Sequence, residues 1–326
     1  MIELKGLTKQ FDDLVAVNAV SLQIQAGEVF ALLGPNGAGK TTTVRMLSSI
    51  LRPTAGSATV AGFDVATQGQ QVRTHVGVLT EAPGLYTRMT GWEYLDFFGE
   101  VRGLSRPHRE ARIRTLADRF RFTEALPRRL SDYSKGMKQK IALVRTLLHD
   151  PPVLLFDEPT SAMDPSSARL VRDAIRQMRN DEGRAIIICT HNLPEAEELA
   201  DRIGIIRNGA IVAQGTMTDL KARLLGPPLM ELRLRQAPQN GLLPLMRRFV
   251  EIEAVGETWV RYRAADPHTT NPQLLAALTR AQVPVVTLSE VPRNLESVYL
   301  RAVASGNGSQ PRKESEPRNG AEANHG

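Results

Sequence analysis

Residues Gly34-Pro35-Asn36-Gly37-Ala38-Gly39-Lys40-Thr41 fit the pattern G-x-x-x-x-G-K-[ST]. No other feature of the chain constrains its fold as much, because this pattern functions only between a buried strand and the first turn of a helix. Val29-Phe30-Ala31-Leu32-Leu33 supplies an apolar run of strand length before it, and Thr42, Val44, Met46 and Leu47 recur at helical spacing after it. Glycines let the backbone curl into a nest whose N–H groups point at phosphate oxygens. A helix starting near Gly39 adds the positive end of its dipole. The spacing predicts that Lys40 reaches the β- and γ-phosphates of a nucleoside triphosphate and that the Thr41 hydroxyl ligates Mg²⁺. Thr42 adds a further phosphate contact. Gly34, Pro35, Asn36, Gly37, Ala38 and Gly39 are the candidate backbone contacts.

A second run, Val153-Leu154-Leu155-Phe156-Asp157-Glu158, is an apolar strand ending in two carboxylates. Alone it would also suit a solvated loop. Beside a phosphate loop it describes the carboxyl end of a parallel strand, where ligands of α/β sheets collect. Asp157 is expected to hold Mg²⁺ directly or through water, and Glu158 to polarise the attacking water. A third apolar strand, Ala185-Ile186-Ile187-Ile188-Cys189, ends in Thr190-His191. A lone histidine is more often structural than catalytic. One closing a strand on the same sheet edge as Asp157 can hydrogen-bond the γ-phosphate.

Between the nucleotide motifs lies a segment that a simple kinase core would not need, including Leu130-Ser131-Asp132-Tyr133-Ser134-Lys135-Gly136-Met137-Lys138-Gln139-Lys140. Here the sequence, over about residues 1 to 225, resembles the ATP-binding subunit of ABC transporters. Ser134-Lys135-Gly136-Met137 looks like a variant of the family's signature, with Lys135 and Met137 replacing the commoner glycine and glutamine. The resemblance implies that Ser134 and Gly136 touch the γ-phosphate held by a partner subunit; read by itself, the stretch is a serine-capped helix start. It further implies that Phe11 stacks on adenine, that Ser161-Ala162-Met163-Asp164 is the loop bridging two subunits, and that His191 is the switch histidine. The family often has glutamine after the strand Val76-Gly77-Val78-Leu79. Glu81 stands there, able to ligate Mg²⁺ and to link the site to a membrane partner, with a charge that glutamine lacks. Thr80 to Thr90 and Tyr133 to Met137 look like the subunits serving ABC-2-type exporters, such as daunorubicin-resistance-like drug efflux proteins.

Composition narrows the class. A chain of 326 residues suggests two domains, and 42% hydrophobic content is enough for a core. No run approaches the ~20 apolar residues that cross a bilayer, and the N-terminus has no apolar secretion segment. Cys189 is the single cysteine, so no internal disulfide forms, and its place in an apolar strand suggests a buried small residue rather than a nucleophile. The default is a soluble, reduced, cytoplasmic protein. The net charge of +6 is uneven, since 13 Lys/Arg stand against 4 Asp/Glu between Arg102 and Arg145. That excess suits a solvated helix face or a surface near anionic lipid or ATP phosphates. Without interleaved aromatics it argues against nucleic acid.

The expected fold class is α/β, a P-loop NTPase ABC cassette of mixed sheet core and helical subdomain, with a small α+β C-terminal domain. The cassette is expected over 1–225, its helical subdomain over about 82–150, with a capping box at Thr90-Gly91-Trp92-Glu93 opening a helix that carries Tyr94, Leu95, Phe97 and Phe98. Those aromatics suit partly a core and partly a docking face. Asn208-Gly209 marks a hairpin turn, and Gly226-Pro227-Pro228 a boundary. Alternation over 230–235 and the elements after it suggest a ferredoxin-like βαββαβ unit with a trailing helix over 229–303. A polar tail is expected to be disordered from 304 to 326. The resemblance implies an ATPase motor needing ATP and Mg²⁺, working as a homodimer or with a paired ATP-binding subunit on a transmembrane ABC-2-type permease, peripheral at the cytoplasmic face of the cell membrane, with no nucleic acid. The alternative is a soluble ABC-type ATPase of translation or repair. Only one phosphate loop and no sustained heptad run are present, and no Asn-Lys-x-Asp motif points to guanine.

Overall fold

Strands buried on both faces read as unbroken apolar runs, and three such runs build the centre of the molecule. Val29–Leu33, Val153–Asp157 and Ala185–Thr190 are buried at every position. In this computed structural model, which describes residues 1–305 apart from Pro83, Ala162, Asp181 and Asn240, they lie inside a six-stranded sheet. Its order is Ala210–Gly215, Arg202–Arg207, Val29–Leu33, Ala185–Thr190, Val153–Asp157, Val76–Leu79. The central pairs are parallel, with Leu33 opposite Thr190 and Asp157 opposite Cys189. That register brings the phosphate loop, the carboxylates and His191 out on one edge. Asn208 and Gly209 have φ of 49° and 79°, as the two-residue hairpin requires.

A second, antiparallel sheet runs Leu14–Ile24, Ile2–Phe11, Ala55–Val60, Phe63–Asp64. Ile2, Leu4 and Leu7 point into a core shared with Phe30, Leu32 and the helix Lys40–Leu47. The helices Gly91–Val101, Arg106–Arg119 and Lys135–Leu147 form the segment between the nucleotide motifs. Thr90 and Glu93 make the reciprocal capping box. Tyr94 and Leu95 are fully buried while Phe97 is 39% exposed, so the aromatics divide between core and surface. Much of the basic excess is structural. Arg112 pairs with Asp150 at 2.8 Å, Arg119 with Glu182 at 3.0 Å, and Arg109 with Asp96. Arg145 lies over Tyr94 and Phe98.

His149, whose Nε2 donates to Val76 O at 3.2 Å, is half-buried, and burial lowers its pKa to about 4. The unfolded chain therefore takes up a proton first as pH falls. Stability is unaffected above the ordinary histidine pKa and drops between about 6.5 and 4, by at most about 3 kcal/mol. Urea midpoints at pH 7 and pH 4.5 should differ less in His149→Gln than in the parent chain.

Beyond Leu225 the chain runs Leu229–Leu234, Leu242–Met246, Glu251–Val255, Trp259–Arg263, Pro267–Arg280, Val285–Glu290. The strands form a third antiparallel sheet in which the first and last are neighbours. The trailing helix departs from expectation. Leu295–Ser305 runs two residues past the point where the tail was expected to begin. Its buried Leu295, Val298 and Ala302 pack with Ala196, Ile203, Ile205 and Leu220 of the first unit rather than inside the second. Glu197 accepts from Leu295 N at 3.3 Å, and Arg207 donates to Val303 O at 2.6 Å. The rest of the expected tail, from 306, lies outside the described residues. No helix among the described residues is long and apolar enough to cross a membrane.

Candidate nucleotide site

The loop leaves Leu33 and turns at once into the helix at Lys40. Gly39 caps that helix with φ 106°, and a Cβ there would lie 2.5 Å from Ala16 O, so no other residue fits without moving the neighbouring strand. Pro35, Asn36 and Gly37 are exposed, while Gly34, Ala38, Gly39 and Lys40 are buried. Lys40 Nζ donates to Gly34 O at 2.6 Å and Pro35 O at 3.1 Å, which curls the ammonium inside the loop. Thr42 lies half-buried in the first helical turn.

Thr41 Oγ1 donates to Asp157 Oδ2 at 2.7 Å, tying the loop to the acidic strand. Burial pushes the Asp157 carboxyl above its ordinary range; Glu158 and Glu81 push the same way, against the Thr41 hydrogen bond and Lys40. A hydroxyl and a buried carboxylate are hard oxygen donors, and a cation beside them would offset the cost of that burial. Among the described residues no cluster of three acidic, His or Cys side chains forms a cage. This donor set fits Mg²⁺, which binds through one or two protein groups plus substrate phosphates.

Glu158 is 5% exposed and sits at φ 52°, a left-handed conformation that a non-glycine residue holds only under constraint. Its N–H donates to Cys189 O at 2.9 Å, and its Oε1 accepts from His191 N at 3.0 Å. His191 Nδ1 lies 2.6 Å from the same oxygen. With Nδ1 donating, Nε2 is left to meet a ligand. Cys189 is fully buried, and burial raises its thiol pKa, as suits an inert core cysteine.

The structure thus joins the phosphate loop, Asp157, Glu158 and His191. Glu81 is exposed two residues beyond Leu79, which pairs with Phe156. Among the described residues no hydrogen bond ties Phe11, Ser134 or Gly136 to this group. Phe11 ends its strand 43% exposed, with Lys9 Nζ 5.0 Å from the ring centroid. Ser134 is an exposed helix cap, its side chain accepting from Met137 N at 3.2 Å, with Gly136 half-buried in the first turn. Asp164 caps the helix Pro165–Asn180 by accepting from Ser166 and Ser167, whose hydrogen bonds hold its carboxyl far below the usual range. Ala162 of that loop lies outside the described residues. Two residues escaped the sequence reading. Gln139 is buried, with Nε2 3.5 Å from Glu158 O, and Glu195 is buried beside Thr160 and Thr190. Only their fixed distance from Ser134 and His191 could have marked them.

Known proteins resemble this chain in sequence and fold. A family model described as ABC transporter matches residues 17–161. The ABC transporter ATP-binding protein NatA of Bacillus subtilis (strain 168) is 41% identical over 225 residues, 68% of this chain and 91% of that protein. The daunorubicin/doxorubicin resistance ATP-binding protein DrrA of Streptomyces peucetius is 34% identical over 308 residues, 92% of this chain and 91% of that one. The Nod factor export ATP-binding protein I of Rhizobium sp. (strain N33) is 36% identical over 301 residues, 92% and 96%. A solved ATP-binding subunit of an ABC transporter superposes with TM-score 0.65 at 30% identity, covering 69% of this chain and 94% of that one. The cassette MJ0796, in a dimeric post-hydrolysis state bound to ADP and phosphate, gives 0.62 at 21% identity, covering 67% and 99%, and so supports the fold. The chain belongs to the ABC transporter family, as the ATP-hydrolysing subunit of a transporter of the exporter kind.

Proposed function

We propose that two ATP-binding chains, identical or paired, enclose two ATP molecules, each phosphate loop facing the other chain's Ser134 and Gly136. Lys40 and the loop backbone bind the β- and γ-phosphates, Thr42 assists, and Phe11 stacks on adenine. Thr41 and Asp157 hold Mg²⁺, with Glu81 near its shell. Bound there, the ion supplies charge neutralisation to the phosphates. Glu158 takes a proton from the attacking water, and His191 Nε2 steadies the γ-phosphate. The observation carrying this reading is the shared Oε1 of Glu158: one carboxylate is oriented by His191 while its neighbour Asp157 is tied to the phosphate loop.

The chain divides, in this reading, into a nucleotide-binding domain over 1–225, with a helical part over about 82–150, and a ferredoxin-like second domain from 229. It works at the cytoplasmic face of a membrane against an ABC-2-type transmembrane subunit. Support comes from exposed apolar surface on the helical part. Tyr86 is 52%, Phe97 39% and Val101 63% exposed, and Tyr86 meets Phe97 and Phe98 with ring centroids 5.9 Å apart. Such a patch marks an interaction site. Phe97→Arg should abolish co-purification with a multi-span membrane protein from detergent extracts and leave ATP affinity within about twofold, since a surface change away from the site perturbs it little. Unchanged co-purification would remove this face from the contact. A family ATPase lacking any membrane partner is not favoured, because relatives matching over nine-tenths of the chain belong to resistance and export systems.

A further inference from the structure

Helix Leu193–Leu199 carries Glu195, Glu197 and Glu198 and reads as a solvated acidic segment, yet Glu195 is only 3% exposed. Asn192 fixes its backbone, accepting from Glu195 N at 3.2 Å. Arg172 acts on the carboxylate only from a distance, its own partner being Glu198 at 2.9 Å. Both oxygens are instead occupied by hydroxyls. Oε1 accepts from Thr160 Oγ1 at 2.5 Å and Oε2 from Thr190 Oγ1 at 2.8 Å. A buried carboxylate without a close cation is a burden on stability that an apolar side chain would not impose, so this residue type calls for another reason.

The two threonines supply it. Thr160 lies in the turn after Glu158, whose φ of 52° has to be held from outside. Thr190 immediately precedes His191. Its Oγ1 accepts from Asn192 N at 3.0 Å and lies 3.3 Å from Glu158 Oε2 as well as 2.8 Å from Glu195. A hydroxyl has one proton, and the nearer Glu195 takes it. Glu158 Oε1 is meanwhile occupied by His191, so Oε2 is the oxygen left with free lone pairs.

We propose that Glu195 is a positioning residue for ATP hydrolysis. It clamps Thr160 to Thr190, keeps Glu158 and His191 in register, and draws the Thr190 proton away from the Glu158 oxygen that receives the proton of water. The inference rests on the roles proposed for Glu158 and His191. The helix joins this clamp to the C-terminal helix, since Glu197 on it accepts from Leu295 N.

The test is steady-state ATP hydrolysis by the full chain, with nucleotide affinity and thermal unfolding measured alongside. Glu195→Gln should lower kcat by about 10- to 100-fold, the scale of displaced supporting groups, with KM for ATP within about threefold. Thr190→Val should lose a similar factor, Thr190→Ser should recover most of it, and Glu195→Gln with Thr190→Val should lose no more than either alone. A kcat for Glu195→Gln within twofold of the parent would overturn the inference, as would a loss confined to KM or a double variant with multiplied losses. If Glu195→Gln does not fold, the Val and Ser comparison at Thr190 decides alone. Glu158→Gln runs in parallel: normal turnover there would sink the underlying reading, whereas lost turnover there with none lost at Glu195 sinks only this one.

Discussion

Glu158→Gln should bind ATP as tightly as the parent chain and turn it over about 10²- to 10⁴-fold more slowly, the range for removing a general base. Glutamine keeps the volume of a side chain that is 7% exposed, and its carbonyl can still accept from His191 N, as Oε1 does now at 3.0 Å. What it cannot do is take a proton. Binding and catalysis should therefore separate. Because ATP persists in the site, the variant should accumulate as a closed pair of chains with ATP and revert to single chains when ATP is removed, as gel filtration would report. Parent-like turnover would take Glu158 out of its role.

Lys40→Ala should fail one step earlier. Lys40 is 6% exposed and its ammonium is held by Gly34 O at 2.6 Å and Pro35 O at 3.1 Å, carbonyls it would exchange for phosphate oxygens. Truncating one member of a buried charge pair costs about 2–5 kcal/mol, so ATP affinity should fall at least about 30-fold. The two carbonyls also lose their donor, so the empty loop loses shape as well as charge. Titration with a fluorescent ATP analogue separates the two variants: Glu158→Gln saturates at the parent concentration and Lys40→Ala does not. Equal affinity in Lys40→Ala would mean that the backbone nest alone binds the nucleotide.

Most of the site was legible because it is local. The phosphate loop, the acidic strand end and Thr190-His191 are short runs whose residue types carry their chemistry, and parallel register alone brings them to one edge. The Thr90 capping box and the Asn208-Gly209 turn are likewise set by residues within four positions. What could not be read depends on contacts between distant segments. Glu195 stands among acidic neighbours, and only the fold shows that Thr160, 35 positions earlier, meets it. The basic stretch from Arg102 looked like one surface, but Arg112 and Arg119 are drawn into ion pairs with Asp150 and Glu182, residues outside it. The last helix has an apolar face with no address. Its partners, Ile203 and Leu220 among them, lie in the first unit, so sequence order alone assigned it to the second.

The central claim is that each reaction centre takes its phosphate loop from one chain and its Ser134–Gly136 segment from another. Mixing two inactive variants tests it most directly. Lys40→Ala has no working phosphate loop, and Gly136→Asp puts a charge where the partner's γ-phosphate would sit. Each should be inactive alone. In a mixed pair one centre combines the intact loop of one chain with the intact segment of the other. Random pairing of equal amounts should therefore restore about a quarter of the parent rate, given a twofold-symmetric pair with independent centres. No recovery at any ratio, or full activity of Gly136→Asp alone, would contradict the account.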